Sequence, residues 1–249
     1  MKNFSFVLFV LFLLCPVCVT LGKTLPDQFN NKDVRGWIIL SDDMNAAIQT
    51  IKAAKEYDIN QLQLSHEIIH DLREIKTEKV CAQVNELVNL AHSEEINEVL
   101  LWDHSLYDID YYPERFRTGP GGTIDLDNTE FWEWLKDDYR QMLDRVSEAD
   151  GLVLTFIETG AYAERQFSKK MKSSEEKLAA VVNAISDVLI GERKKKLYIR
   201  TFAYSEEEYK GTTGCIEYLK YDEVILMMKE TPHDFFLTHP DNYYIQKMD

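Results

Sequence analysis

Asp150-Gly151-Leu152-Val153-Leu154-Thr155-Phe156-Ile157-Glu158 is a short apolar run, and the segment after it, Ser173 through Gly191, sets Leu178, Val181, Val182, Ile185 and Leu189 at helical spacing. Ser173 with Glu176 predicts a capping box at the start of that helix, and Gly191 is expected to stop it. A strand followed by an amphipathic helix is one βα unit, and the same rhythm recurs on both sides. Strands are expected at Gly36 to Leu40, Gln61 to Ser65, Glu98 to Asp103, Leu152 to Ile157, Leu197 to Phe202 and Phe235 to Thr238. Between the third and fourth, Asp127 with Glu130 predicts a second capping box, and Phe131, Trp134, Leu135, Tyr139, Met142 and Leu143 form one apolar face.

Six regularly spaced βα units predict an α/β fold of the (β/α)8 TIM-barrel type with about six of its eight units present. No Gly-x-Gly-x-x-Gly or P-loop follows a strand to favour a doubly wound nucleotide-binding sheet. The Gly119-Pro120-Gly121-Gly122 cluster reads as a turn. Six units instead of eight imply an incomplete or degenerate barrel.

The chain has 249 residues, 45% of them apolar, which is enough to bury a large core. Lys and Arg number 28 against 43 Asp and Glu, a net charge of −15, so the broad basic surface that nucleic acid requires is not expected. Residues 1–22 read as a secretory signal: Lys2 precedes the apolar run Phe4 to Leu14, and Thr20-Leu21-Gly22 offers small residues for cleavage. The run is too short for stable membrane insertion, so the protein is expected to be secreted or periplasmic. Residues 23–35 would be a linker and 36–249 the barrel domain. Cys15 and Cys18 fall in the signal, and Cys81 and Cys215 are expected to be unpaired.

Active faces of barrels form where strands end. His66 follows strand two; Trp102, Asp103 and His104 close strand three; Glu158 and Thr159 follow strand four. Strand five carries Arg200 and leads to Tyr204, and Asp234 and His239 bracket strand six. Carboxylates, histidines and aromatics with one Arg suit a sugar site, where rings stack on the substrate and paired carboxylates act as acid and base. Tyr111-Tyr112 and Tyr243-Tyr244 are further candidate sugar platforms, whereas Trp132 and Trp134 fit helix packing.

The run Asp150 to Glu158 resembles the catalytic barrel of the α-glucuronidases of glycoside hydrolase family 67. So do Leu197-Tyr198-Ile199-Arg200 with Tyr204, Val224 to Lys229, Pro232-His233-Asp234-Phe235 with Pro240, and Leu126-Asp127-Asn128 through Tyr139. The resemblance covers residues from about 95 to 241. It implies an inverting enzyme that removes 4-O-methylglucuronic acid from xylan fragments, acting on an oligosaccharide or polysaccharide with no metal or organic cofactor. It also implies Glu158 as general acid, Asp234 as a base, and Arg200 and Lys229 as ligands of the sugar carboxylate. A vestigial or carbohydrate-binding barrel without catalysis is the alternative. A third reading starts from His66-Glu67-Ile68-Ile69-His70, which fits the zinc-protease pattern of two His on one helical turn, with Glu86 as a distant third ligand. On the barrel reading His66 is a strand-end sugar ligand and His70 a surface or loop residue.

Overall fold

The computed structural model describes residues 34–203 and 205–229. Among the described residues six strands form one sheet: β1 (Gly36–Ile39), β2 (Gln61–Leu64), β3 (Glu98–His104), β4 (Gly151–Thr155), β5 (Lys196–Arg200) and β6 (Ile225–Met227). Five of these match expected strands. The sixth lies in a stretch whose three-residue strand is too short for a periodicity signal, and the expected strand at Phe235 to Thr238 lies outside the described residues, as do residues 1–33.

Every pairing is parallel and the order is β1-β2-β3-β4-β5-β6. Each crossover therefore steps one strand in the same direction. A doubly wound sheet reverses direction partway, whereas single winding keeps the helices on one face and curls the sheet toward a barrel. The helices are α1 (Met44–Ala54), α2 (Glu78–Ser93), α3 (Thr129–Arg145), α4 (Ser174–Ser186) and α5 (Glu206–Gly214). The result is a curled half-barrel of six parallel strands.

The two faces of the sheet have different chemistry. Leu62, Leu64, Val99, Leu101, Leu152, Leu154, Leu197 and Ile199 point to the helices and join Val84, Leu87, Leu135, Leu143, Val181 and Ile185 in the main core. Alternate residues line the concave face, where Leu100, Trp102, Val153 and Tyr198 form a second, smaller cluster with Met227 against it. Between β4 and β5 the backbones approach so closely that a Cβ on Gly151 would lie 2.2 Å from the Lys196 carbonyl oxygen, so that position demands glycine.

The capping box of α4 is present, Ser173 Oγ accepting from the Glu176 amide and the Glu176 carboxylate from the Ser173 amide. The helix does not stop at Gly191. It passes into a π-turn, Asp187–Glu192, which ends one residue later. At α3 the cap is Asn128, whose side chain accepts from the Glu130 amide at 2.9 Å. Asp127 instead accepts from Ser168 Oγ and the Lys169 amide, tying down the loop before α4. Gly119 to Gly122 form a turn with Gly121 and Gly122 at φ 70° and 79°. Cys81 and Cys215 are both free. No helix of the described residues is long and apolar enough to cross a membrane.

Candidate active site at the strand ends

The concave face is built upward from a polar floor. Glu98, on β3, accepts from Gln61 Nε2 at 2.8 Å and from the Tyr198 hydroxyl at 2.6 Å, and it pairs with Lys196. Gln63 donates to Gln61 Oε1 at 3.1 Å and accepts from the Trp102 indole at 3.3 Å. A chain of hydrogen bonds thus fixes the Trp102 ring from below, and such connected networks hold a platform rigidly.

Above that platform the strand ends converge. The His66 ring lies 4.9 Å from the Trp102 ring, and the Arg200 guanidinium lies 4.8 Å over the same ring. Arg200 is also 4.9 Å from the centre of Phe202, which the Lys229 ammonium approaches at 3.7 Å. Lys229 is placed by its backbone, whose amide donates to Thr201 Oγ1 at 3.2 Å. A cation over an aromatic face is attracted to the ring's negative face, so Phe202 draws Arg200 and Lys229 to one side of the sheet.

His66 and Glu158 both take left-handed backbone, φ 50° and 58°, just past the ends of β2 and β4. For residues with a Cβ that conformation is costly, and it persists where the surrounding fold imposes it. The Glu158 side chain is exposed and its charge reaches His66. Burial holds His66 below the ordinary imidazole value, His70 and Arg200 push it the same way, and Glu158 opposes them. At neutral pH His66 is therefore an uncharged donor and acceptor.

His104, the last residue of β3, is buried, and its Nδ1 lies 2.7 Å from Asp71 Oδ1. Asp71 Oδ2 is 2.9 Å from Arg73 Nη2. Burial pushes the Asp71 carboxyl up, but the His104 hydrogen bond and charge together with Arg73 outweigh it and hold Asp71 below its usual value. The His70 ring lies 4.4 Å from that of His104 and 6.1 Å from that of His66.

Asp103 is a correction. It sits on the helix-facing side of β3, completely buried, and accepts from the Leu72 amide at 2.9 Å, the Tyr107 hydroxyl at 2.9 Å and the Tyr139 hydroxyl at 2.6 Å. It joins the sheet to α3 and does not face a substrate. The same alternation that brings Trp102 and His104 to the concave side turns Asp103 away. Tyr111 and Tyr112 are corrected likewise: Tyr112 is buried and its hydroxyl accepts from the Tyr107 amide, while the Tyr111 hydroxyl donates to Asp138. Trp132 and Trp134 pack against the core. Tyr204, Asp234, His239, Tyr243 and Tyr244 lie outside the described residues.

Residues 66–70 are a turn and not a helix, so the two His do not share a helical face, and Glu86 is on the exposed side of α2. Among the described residues, the group of His, Cys, Asp or Glu with metal-binding spacing is His70, Asp71 and His104. His66, Trp102, His104, Arg200 and Lys229, expected from the sequence to bind substrate, lie near one another at this face. The sequence did not single out Asp71, which meets His104 across the strand boundary, or Phe202, whose ring both Arg200 and Lys229 approach.

No protein-family model and no curated protein matches the sequence. Solved structures do match. One, titled "Structure of CpGH84B", a glycoside hydrolase of family 84, superposes with a TM-score of 0.52 at 13% identity, over 80% of this chain and 33% of that one. This chain spans about a third of that structure's length. At such identity the likeness is one of fold alone and does not extend to family 67.

Proposed function

We propose that the strand-end face hydrolyses a glycosidic bond to an acidic sugar. The observation that carries this is the approach of Arg200 and Lys229 to one Phe202 ring, on the concave side of a glycosidase-like half-barrel, with Glu158 beyond the neighbouring strand. A uronate offers a planar carboxylate that a guanidinium binds through two parallel hydrogen bonds and an ammonium by charge. Trp102 supplies an apolar face for the ring.

In this reading Glu158 donates its proton to the leaving oxygen as the bond to the anomeric carbon breaks. A water forms the new bond from the opposite face and gives its proton to a second carboxylate, which the family resemblance assigns to Asp234. His66, uncharged and with its ring tilted against that of Trp102, hydrogen-bonds a sugar hydroxyl. The N-terminal apolar run fits export, which would place the enzyme with extracellular plant-type polysaccharide.

The test is release of uronic acid from aldouronic xylo-oligosaccharides, followed by proton NMR, with wild type and Glu158→Gln compared. Glu158→Gln is expected to lose at least about a thousandfold in turnover while binding the same oligosaccharide. Equal hydrolysis by the variant removes Glu158 as the acid. Binding without hydrolysis by the wild type turns the reading into that of a carbohydrate-binding barrel.

A further inference from the structure

We propose that His70, Asp71 and His104 form a site for one divalent transition-metal ion of the zinc class, held by two imidazoles and one carboxylate, with its remaining position open to water or a ligand oxygen. The inference is independent of the hydrolase reading above.

The geometry comes from two neighbouring strand ends. β2 runs into the turn that carries His70 and Asp71, and β3 ends on His104. One ligand atom from each of the three residues lies within 4.8 Å of the others. Around a tetrahedral ion with bonds of about 2.0–2.2 Å, adjacent donor atoms sit roughly 3.3–3.6 Å apart, so the 2.7 Å that separates His104 Nδ1 from Asp71 Oδ1 opens by less than about 1 Å to admit it. Without an ion that separation is bridged by a shared proton, so binding exchanges a proton for the metal.

The surroundings prepare the donors. Asp71 Oδ2 is occupied by Arg73, whose Nη2 also reaches Asp108 Oδ2 at 2.9 Å, so Oδ1 is the oxygen turned to His104. A guanidinium on the distal oxygen of a ligating carboxylate fixes its orientation in the way outer-layer partners do. Asp71 and His104 are buried and leave little solvent around the site, while His70 is exposed and its ring already lies 4.4 Å from that of His104. The His70 amide donates to Glu74 Oε2 at 3.1 Å, which anchors the backbone that carries the ring. Two nitrogens and one oxygen suit zinc, and three protein ligands leave a coordination position available. The assignment differs from the His66-Glu67-x-x-His70 pattern: it keeps His70, and it replaces His66 and Glu86 by Asp71 and His104.

The test uses the full chain, stripped with a chelator, dialysed and titrated with ZnCl2 by calorimetry, with bound metal counted by mass spectrometry. One Zn2+ per chain is expected, with a rise in melting temperature as the ion binds the folded state. His70→Ala, at an exposed position that does not threaten folding, is expected to weaken binding by more than the roughly 10–100-fold that outer-layer partners are worth, and His104→Gln to do the same. His66→Ala and Glu86→Gln are expected to bind zinc within about threefold of wild type. A Co2+-loaded sample is expected to show visible absorption that His70→Ala abolishes. No stoichiometric zinc in the wild type, zinc unaffected by His70→Ala, or zinc lost in His66→Ala and Glu86→Gln each overturns the proposal.

Discussion

The Arg200 guanidinium lies 4.8 Å over the ring of Trp102, and that ring is held by its indole hydrogen bond to Gln63. The contact joins the polar floor of the concave face to the cations at its rim. It follows from strand register: Trp102 pairs with Val153 and Arg200 with Met227, on alternate positions that all face inward. On this reading Arg200→Ala loses the preference for acidic over neutral oligosaccharides, by about tenfold to a hundredfold in kcat/KM, while Arg200→Lys keeps the charge and recovers part of it. Competition between paired acidic and neutral substrates measures this directly. An unchanged preference in the alanine variant would remove Arg200 from carboxylate recognition.

Glu158 exposes a cost that function would explain. At φ 58° it carries a strain of about 1 kcal/mol that glycine would not. Glu158→Gly is therefore expected to raise the melting temperature by roughly 2–4 °C while abolishing hydrolysis. Lys194, at φ 56° in the connection between α4 and β5, is the control: Lys194→Gly is expected to stabilise similarly and leave hydrolysis intact. Scanning calorimetry with an activity assay separates the two, and a destabilised Glu158→Gly would show that its side chain holds the loop.

Burial pushes Asp103 up to about 7, against the hydrogen bonds from Tyr139, the Leu72 amide and Tyr107, which lower it. In the unfolded chain an Asp ionises near pH 3.9. Between those values the folded protein keeps a proton that the unfolded chain releases, so stability falls as pH rises from about 4 to about 7 and is level above. The full span is worth roughly 4 kcal/mol at most. Asp103→Asn carries no charge at any pH, so the stability of wild type minus that of the variant should decline across the same window. Urea denaturation at pH 4.5, 6 and 8 tests it, and a difference independent of pH would contradict a protonated Asp103.

The fold was legible because the signals that make it are local and repeated. Leu178, Val181, Val182 and Ile185 announce α4, Ser173 and Glu176 its start, and the run from Gly151 to Thr155 the strand before it. Single winding was implied by the regular βα spacing. The placement of His66, Trp102, Glu158 and Arg200 at or near individual strand ends was legible for the same reason. What remained hidden depends on which way a side chain points and on what lies across a strand boundary. Asp103 and His104 are adjacent in sequence, yet the pleat sends one to the helices and the other to Asp71. The π-turn at Asp187–Glu192 carries Gly191 past the point where glycine was expected to end the helix.

Gly160 lies two residues beyond Glu158 in the same loop, so a substitution there tests the loop without altering Glu158 itself. A Cβ there would lie 2.2 Å from Asp108 Oδ1 and 2.6 Å from the Asp108 backbone nitrogen and Cα, so two loops meet at van der Waals contact with no side chain between them. Thr159, one residue earlier, donates its hydroxyl to the Leu106 carbonyl and stitches the same pair together. The backbone of Asp108 cannot withdraw freely, because its carbonyl accepts from the Tyr111 amide and its carboxylate from Arg73. Gly160→Ala must therefore displace the Glu158 segment, at a cost of about 1–3 kcal/mol of overpacking. Turnover is expected to fall by one to two orders of magnitude with KM little changed, since a displacement of about 1 Å at a catalytic group costs about a hundredfold. Steady-state kinetics beside thermal denaturation decides it: a variant destabilised but fully active would mean that the Glu158 loop is not positioned by its contact with Asp108.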